Sequence, residues 1–99
     1  MNKSFDYIIV GAGSAGCAVA NRLSENPKNT VLLIEAGRAS HPVTRLPASF
    51  ALLIDNPLAN WRYRSEPEES TGNREIPIPR GKLLGGSSSI NGLVYVRGN

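Results

Sequence analysis

A glycine-rich turn between an apolar strand and a helix restricts the fold of this chain more than any other feature. The sequence "FDYIIV", residues 5–10, predicts a strand, and "GAGSAG" follows it directly. The next stretch, residues 14–27, predicts a helix with Ala15, Ala18, Val19 and Leu23 on its apolar face. A second apolar run, residues 31–35, predicts another strand. Such runs are typical of parallel strands covered by helices, so we predict a βαβ unit of an α/β fold.

The three glycines of this turn, Gly11, Gly13 and Gly16, form the pattern G-x-G-x-x-G, and Glu35 closes the second strand. Gly11 permits a tight turn, Gly13 allows a pyrophosphate to approach the backbone, and Gly16 allows the helix to lie close to the sheet. The helix N-terminus offers unpaired N–H groups to that anion. Glu35 is placed to accept hydrogen bonds from a ribose, and its charge disfavours the 2′-phosphate of NADP. The pattern predicts a dinucleotide site, but it leaves FAD and NAD as alternatives.

Charge and composition point away from several other functions. The eleven Lys and Arg residues and eight acids are scattered along the chain, so no nucleic-acid partner is predicted. No apolar run reaches bilayer length, and no transmembrane segment is predicted. Cys17 is the only cysteine, which fits a reducing compartment, so we expect a cytoplasmic protein in which Cys17 packs on the helix. His41, the only histidine, is expected on a solvent-exposed loop, and no metal site is predicted.

A chain of 99 residues is short for the α/β fold that its sequence predicts. Only one good helix is available to cover two strands, so one face of the sheet would stay open in 99 residues. We therefore expect the fold to be incomplete on its own and to need a longer polypeptide or a second chain. Residues 48–55 predict a short helix, and residues 56–82 are mostly irregular with a strand or two. Ser87 or Ser88 is expected to cap another short helix through Asn91–Tyr95.

A second glycine-rich segment, "RGKLLGGSSSIN", occupies residues 80–91. It differs from the phosphate loop of nucleoside-triphosphate-binding proteins, because Leu83 rather than Ser or Thr follows Lys82. Its glycines and serines can present backbone N–H groups to an oxygen-rich ligand. From composition alone, a serine-capped surface turn explains the segment equally well.

Read in order and spacing, "GAGSAG", "EAG", "NWRY" and "PRGKLLGGSSSINGLVYVRG" resemble the amino-terminal part of the glucose-methanol-choline (GMC) family of flavoprotein oxidoreductases. The resemblance extends from Phe5 to Gly98 and is greatest to the choline dehydrogenase and alcohol dehydrogenase branch. It implies the amino-terminal part of a Rossmann-like FAD-binding domain, with the βαβ unit over residues 1–37. An irregular cofactor-covering segment over 38–79 and a flavin-contacting loop and short helix over 80–99 would follow. The cofactor implied is FAD.

The resemblance also implies a role for individual residues. The first glycine loop would line the pyrophosphate, Glu35 and the residue after it would hold the adenosine ribose, and residues 80–87 would lie near the pyrophosphate and ribityl chain. Residues 91–94 would lie beside the isoalloxazine ring. Trp61 is expected either near the cofactor or as a core anchor. Ile90 stands where some members carry a histidine bonded to the flavin, so non-covalent FAD is implied. The predicted cofactor-binding residues are Gly11, Gly13, Ser14, Ala15, Gly16, Glu35, Ala36, Trp61, Arg80, Gly81, Leu84, Gly85, Gly86, Ser87, Asn91, Gly92, Leu93 and Val94.

The reaction implied is oxidation of an alcohol to an aldehyde or ketone, in which a base takes the hydroxyl proton and hydride passes to flavin N5. The catalytic histidine of the family belongs to its carboxy-terminal part, so no catalytic residue is expected here and this chain alone is expected to be inactive. The implied partners are a small alcohol substrate and the remainder of the enzyme or a complementing chain. Two alternatives stay open: a non-catalytic dinucleotide-binding fragment, and an NAD-dependent dehydrogenase, which leaves the second glycine-rich segment without a role.

Overall fold

The fold begins with a βαβ unit, as the sequence predicts. The computed structural model describes residues 3–98. Strand β1 (Tyr7–Val10) pairs in parallel with strand β2 (Val31–Ile34), and helix α1 (Ser14–Ser24) connects them. Tyr7 lies opposite Val31, so residues at equal offsets along the two strands share a face of the sheet. The three elements are shorter than the sequence predicts, but their order and type are confirmed.

Helix α1 packs on the sheet through small residues rather than through its predicted apolar face. A Cβ atom on Gly16 would collide with the carbonyl oxygen of Gly11, so the first turn of α1 touches the loop backbone. Cys17 is half-buried and donates its thiol hydrogen to the Ala12 carbonyl oxygen over 3.2 Å. This close approach fixes the rotation of the helix. Three of the four residues on the predicted apolar face are exposed in this chain, namely Ala15, Ala18 and Val19.

The rest of the chain has little regular structure, as expected. Helix α2 (Phe50–Leu53) occupies the middle of the helix predicted over residues 48–55 and follows a 3₁₀ turn. Strands β3 (Tyr63–Arg64) and β4 (Pro77–Ile78) form a short antiparallel pair, which confirms the expected strand or two. The 3₁₀ turns lie at Pro47–Ser49, Glu69–Thr71 and Gly86–Ser89. Across residues 3–98, no helix combines the length and apolar character needed to cross a bilayer.

The helix predicted through Asn91–Tyr95 is absent from the described part of the chain, where residues 92–98 have no regular secondary structure. Two local features explain the difference. The side-chain oxygen of Asn91 accepts a hydrogen bond from the Leu93 N–H over 3.1 Å, which is an Asx turn that competes with a helix. Leu93 also has a positive φ of 54°, which a right-handed helix excludes. Ser87 and Ser88 lie within the preceding 3₁₀ turn instead of capping a new helix.

The main cluster of buried hydrophobic residues lies outside the βαβ unit, where Ala12 is also buried. Leu53, Ala59, Leu83 and Ile90 are buried together, and Val43 packs against them. This cluster joins α2 to the second glycine-rich segment, because Leu83 and Ile90 both come from that segment. In contrast, the side chains of Ile8 and Val10 on the strands are 60% and 82% exposed. One face of the two-stranded sheet is therefore uncovered in this chain, as expected from its length.

The start of β1 is joined to the residue before β2 by the side chain of Asp6. Its carboxylate accepts hydrogen bonds from the Thr30 hydroxyl and N–H, both over 2.7 Å. These bonds, the hydroxyl's first, lower the pKa of Asp6 from its ordinary value of 3.8. The folded state therefore holds this proton less tightly than the unfolded state, and the stabilisation is present above the ordinary pKa and lost as the pH falls through the lowered one.

We expect carbon-13 NMR of the labelled Asp6 carboxyl to show a titration midpoint below 3.8, and we expect that midpoint to rise in the Thr30→Val variant. The substitution removes the hydroxyl donor but keeps the backbone N–H, so part of the shift remains. An unchanged midpoint in Thr30→Val would assign the shift to some other contact.

Candidate functional site

The first glycine loop leaves the N-terminus of α1 open. Gly11 has a φ of 96°, which turns the chain sharply after β1. Gly13 precedes the helix in an extended conformation, and no side chain of the described residues caps the helix there. The first-turn N–H groups, from Ser14, Ala15 and Gly16, have no partner within the helix. Since Ser14 and Ala15 are exposed, these donors and the positive end of the helix dipole can serve an anion.

Glu35 lies directly after β2 and holds the backbone of the first glycine loop. One carboxylate oxygen accepts a hydrogen bond from the Ala12 N–H over 2.8 Å, and the other accepts one from the Gly37 N–H over 2.9 Å. A carboxylate has about four acceptor positions, so each oxygen keeps one for a further donor. Glu35 can therefore bind hydroxyl groups of a ligand while it positions the loop, a structural role that sequence reasoning missed.

The second glycine-rich segment lies against the first loop. The Gly85 N–H donates to the Ala12 carbonyl oxygen over 2.7 Å, and Gly13 and Gly85 form a parallel β-bridge. Gly86 has a φ of 58°, and a Cβ atom placed on it would lie 2.8 Å from the Cα atom of Gly13. The Leu84 N–H also donates to the carbonyl oxygen of Arg38, over 2.9 Å. The two segments therefore form one continuous backbone surface, and a simple serine-capped surface turn does not describe the second.

Trp61 and Tyr63 form an aromatic wall beside the glycines. Their rings are stacked, with centroids 5.9 Å apart and an interplanar angle of 7°. The Lys82 ammonium lies 4.5 Å from the centroid of the Trp61 ring, on which it makes a cation–π contact. Trp61 is 42% exposed, so it is a wall residue rather than a core anchor. Sequence reasoning missed Tyr63, which lies two residues after Trp61 in "NWRY".

A cavity of about 460 Å³ lies between the glycine loops, Glu35 and the aromatic wall. Its volume falls within the usual range for small-molecule sites. Sequence reasoning missed three lining residues, Val10, Ile34 and Tyr63. The predicted residues that line it are Gly11, Gly13, Glu35, Ala36, Trp61, Arg80, Gly81, Gly86 and Ser87. A larger cavity of about 840 Å³ lies on the other side of Trp61 and Tyr63, but no glycine lines it. The smaller cavity is therefore the candidate site.

Other predicted residues lie outside the cavity lining. Ser14, Ala15, Gly16 and Gly85 adjoin it through the loops that line it, and Leu84 is 46% exposed. The four residues expected beside the flavin ring are exposed and line neither cavity, namely Asn91, Gly92, Leu93 and Val94. Ile90 is buried in the core. Nine of the predicted residues thus line one cavity, and the roles of the predicted residues toward pyrophosphate, ribose and flavin stay predictions.

The residues present fit part of a dinucleotide. Glycines and the open helix N-terminus offer N–H donors without side-chain obstruction, which suits a pyrophosphate. The Glu35 carboxylate suits ribose hydroxyls, and the flat aromatic wall suits a planar ring or a sugar face. Arg80 is also among the lining residues, and its guanidinium donates to the Pro79 carbonyl oxygen over 2.7 Å.

Known proteins are similar to this chain in sequence and in fold. An oxygen-dependent choline dehydrogenase from Rhizobium etli (strain CIAT 652) is 55% identical over 95 residues, which make up 95% of this chain and 17% of that protein. An alcohol dehydrogenase (acceptor) from Pseudomonas putida is 51% identical over 96 residues, 96% of this chain and 17% of that protein. The crystal structure of pyridoxine 4-oxidase from Mesorbium loti has a TM-score of 0.86 and 43% identity, and the match covers 96% of this chain and 19% of that one.

This chain spans less than a fifth of the length of those proteins, at 17% to 19%. The match to a family, however, covers nearly all of this chain, from residue 5 to residue 99. The predicted resemblance is therefore confirmed: the chain belongs to the GMC oxidoreductase family, whose cofactor is FAD.

Proposed function

We propose that this chain is the FAD-binding portion of an oxidoreductase that converts an alcohol to an aldehyde or ketone. The observation that carries the proposal is the convergence of both glycine segments and Glu35 on one cavity. The relatives named above, a choline dehydrogenase, an alcohol dehydrogenase and a pyridoxine 4-oxidase, support an alcohol as the substrate class. Their different substrates leave the particular alcohol open.

In this proposal, the first glycine loop binds the FAD pyrophosphate. Gly11 and Gly13 line the cavity, and the α1 N-terminus supplies the N–H groups of Ser14, Ala15 and Gly16. Glu35 and Ala36 hold the adenosine ribose, with Glu35 using the acceptor positions that Ala12 and Gly37 leave free. Bound FAD would thus be held by a carboxylate whose orientation the backbone already fixes.

The second glycine-rich segment closes the same cavity in this proposal. Arg80, Gly81, Gly86 and Ser87 line the cavity next to the first loop and would lie near the pyrophosphate and the ribityl chain. An NAD-dependent enzyme, the alternative raised by the first loop, gives the second segment no role. Residues 91–94 are assigned to the flavin side on the resemblance alone. Because Ile90 carries no nucleophilic atom and is buried in the core, the flavin is proposed to bind without a covalent bond there.

When bound, the flavin supplies the acceptor for hydride from the alcohol carbon, at N5. The chain's own residues bind and orient the cofactor, and none of them is proposed as the base. His41, the single histidine, is half-buried rather than solvent-exposed as predicted. Its Nε2 lies 3.3 Å from the Asn56 amide nitrogen, and its Nδ1 accepts from the Val43 N–H over 3.5 Å. We assign the base to the remainder of the enzyme, without which this chain is proposed to be inactive.

We also propose a cytoplasmic location, because the single cysteine of this chain fits a reducing compartment.

The test is to purify the full polypeptide that carries this chain and to record its absorption spectrum and its reduction by short alcohols. We expect flavin bands at about 370 and 450 nm that bleach when an alcohol substrate is added without oxygen. Trichloroacetic acid should release the flavin into the supernatant, as non-covalent binding requires. A colourless protein that cannot be reconstituted with FAD would refute the proposal. Bound flavin that no alcohol reduces would refute only the reaction.

A further inference from the structure

Asn60 is the most buried polar residue near the candidate site, although sequence reasoning gave it no role. Its side chain is 3% exposed and lies in the turn between α2 and β3. The amide nitrogen donates to the carbonyl oxygen of Ile54, at the end of α2. The amide oxygen accepts two backbone N–H groups, from Arg62 and from Arg80, each over 2.9 Å. A buried amide with every bond directed at backbone is suited to holding segments together.

The two segments that Asn60 joins are the aromatic wall and the start of the second glycine-rich segment. The Trp61 N–H donates to the Arg80 carbonyl oxygen over 2.8 Å, and the Lys82 N–H donates to the Ala59 carbonyl oxygen over 2.8 Å. Asn60 and Gly81 form an antiparallel bridge between these bonds. The amide oxygen of Asn60 thus adds two hydrogen bonds to this short backbone ladder, from the N–H groups of Arg62 and Arg80.

This ladder also holds a strained residue. Arg62 has a φ of 58°, a conformation that costs a non-glycine residue free energy. The bond from the Arg62 N–H to Asn60 stabilises that conformation, which sends the chain from Trp61 to Tyr63 so that their rings stack. Without it, Arg62 can relax and the stacked pair loses its fixed position.

Asn60 does not line the glycine cavity, whereas Trp61, Tyr63, Arg80 and Gly81 do. We infer that Asn60 is a positioning residue for the cofactor: its amide oxygen sets the distance between the aromatic wall and the second glycine-rich segment. This inference rests on the proposed FAD site. The amide oxygen of Asn60, which accepts from Arg62 and Arg80, positions the cofactor. The amide nitrogen, which donates to the Ile54 carbonyl oxygen, stabilises the turn.

Three variants in the full polypeptide separate these roles. Asn60→Ala removes both functions. Asn60→Asp keeps the acceptor for Arg62 and Arg80 but places a carboxylate oxygen against the Ile54 carbonyl. Asn56→Ala is the matched control, because Asn56 accepts a similar backbone bond from the Leu58 N–H over 2.9 Å and lines neither cavity.

We expect Asn60→Ala to raise the FAD dissociation constant about tenfold or more and to change the visible circular dichroism of the bound flavin. Asn60→Asp should lower the melting temperature but keep the wild-type dichroism and an affinity within about threefold of wild type. Asn56→Ala should change neither flavin readout. If Asn60→Ala and Asn60→Asp lose affinity equally, or if affinity follows melting temperature across all three variants, Asn60 is only structural.

Hydrogen exchange in the FAD-free protein tests the contact independently of the proposed function. The amide hydrogens of Arg62 and Arg80 should exchange at least about tenfold faster in Asn60→Ala, and near the wild-type rate in Asn60→Asp. If the wild-type protein binds no FAD, the proposed function fails whatever the exchange rates are. If FAD binds but exchange at both amides is unchanged in Asn60→Ala, the positioning role alone is overturned.

Discussion

Replacing Gly86 by alanine is expected to separate the two glycine segments and abolish FAD binding. Gly86 is buried, its φ is 58°, and the added Cβ atom would lie 2.8 Å from the Gly13 Cα atom. The left-handed conformation costs alanine about 1 kcal/mol, and the overpacking adds roughly 1–3 kcal/mol more. Because the neighbour is backbone, only movement of a whole loop relieves the contact. That loop carries the proposed pyrophosphate site.

Gly72→Ala isolates the strain of the left-handed conformation from the effect of close approach. Gly72 has a φ of 66°, but no atom lies within 4 Å of its built Cβ position, and it lines neither cavity. We expect Gly72→Ala to lose about 1 kcal/mol of stability and to retain FAD with unchanged affinity. FAD titration and thermal melting of both variants in the full polypeptide check this. Equal effects of the two substitutions would show that contact between the glycine segments is not required.

The βαβ unit was predictable because its signals are local. Apolar runs, a glycine turn and helical spacing lie next to one another in the chain, and each narrows the conformations of its own segment. The contact of Gly86 with Gly13 was not predictable in this way, because nothing in the local pattern states which backbone a distant glycine approaches. Glycine composition shows only that a close approach or a positive φ is permitted.

The errors have the same origin. Spacing places Ala15, Ala18 and Val19 on one helix face, but the approach of Gly16 to the Gly11 carbonyl decides which face meets the sheet. The serines before Asn91 are typical helix caps, yet the segment bends to bring Ile90 into the core with Leu53 and Leu83. In both cases a tertiary contact overrides a local preference of smaller free energy.

The aromatic wall likewise depends on contacts between segments that are distant in the sequence. Trp61 was identified by its motif, whereas its stacking on Tyr63 and its cation–π contact with Lys82 depend on the pairing of residues 59–61 with residues 80–82. The buried amide oxygen of Asn60 accepts the N–H groups of Arg62 and Arg80 beside that pairing, but an asparagine in an irregular stretch predicts only a turn. Residues of a ligand-binding motif can thus be identified from one sequence. Residues that hold the motif in place can be identified only from the folded structure.

Replacing Glu35 by arginine is expected to reduce FAD affinity by about a hundredfold or more and to destabilise the protein. The carboxylate accepts the Ala12 and Gly37 N–H groups, and arginine has no acceptor. Each donor left unpaired in this half-buried position costs about 1–3 kcal/mol. The guanidinium would also be unable to accept hydrogen bonds from the ribose hydroxyls, and this second loss affects only the FAD-bound state. Isothermal titration with FAD and chemical unfolding without it measure the two losses separately.

Two further substitutions distinguish a ribose contact from loop support. Glu35→Gln keeps one acceptor oxygen and removes the charge, so we expect an affinity between those of wild type and Glu35→Arg. Glu66→Arg makes the same charge change on an exposed side chain that lines neither cavity, and it should leave FAD binding unchanged. If Glu35→Arg lowers the stability of the FAD-free protein but leaves FAD affinity at the wild-type value, Glu35 supports the loop and does not bind the ribose. The structure allows both roles at once, because each carboxylate oxygen of Glu35 accepts one backbone N–H and keeps an acceptor position at the cavity that Glu35 lines.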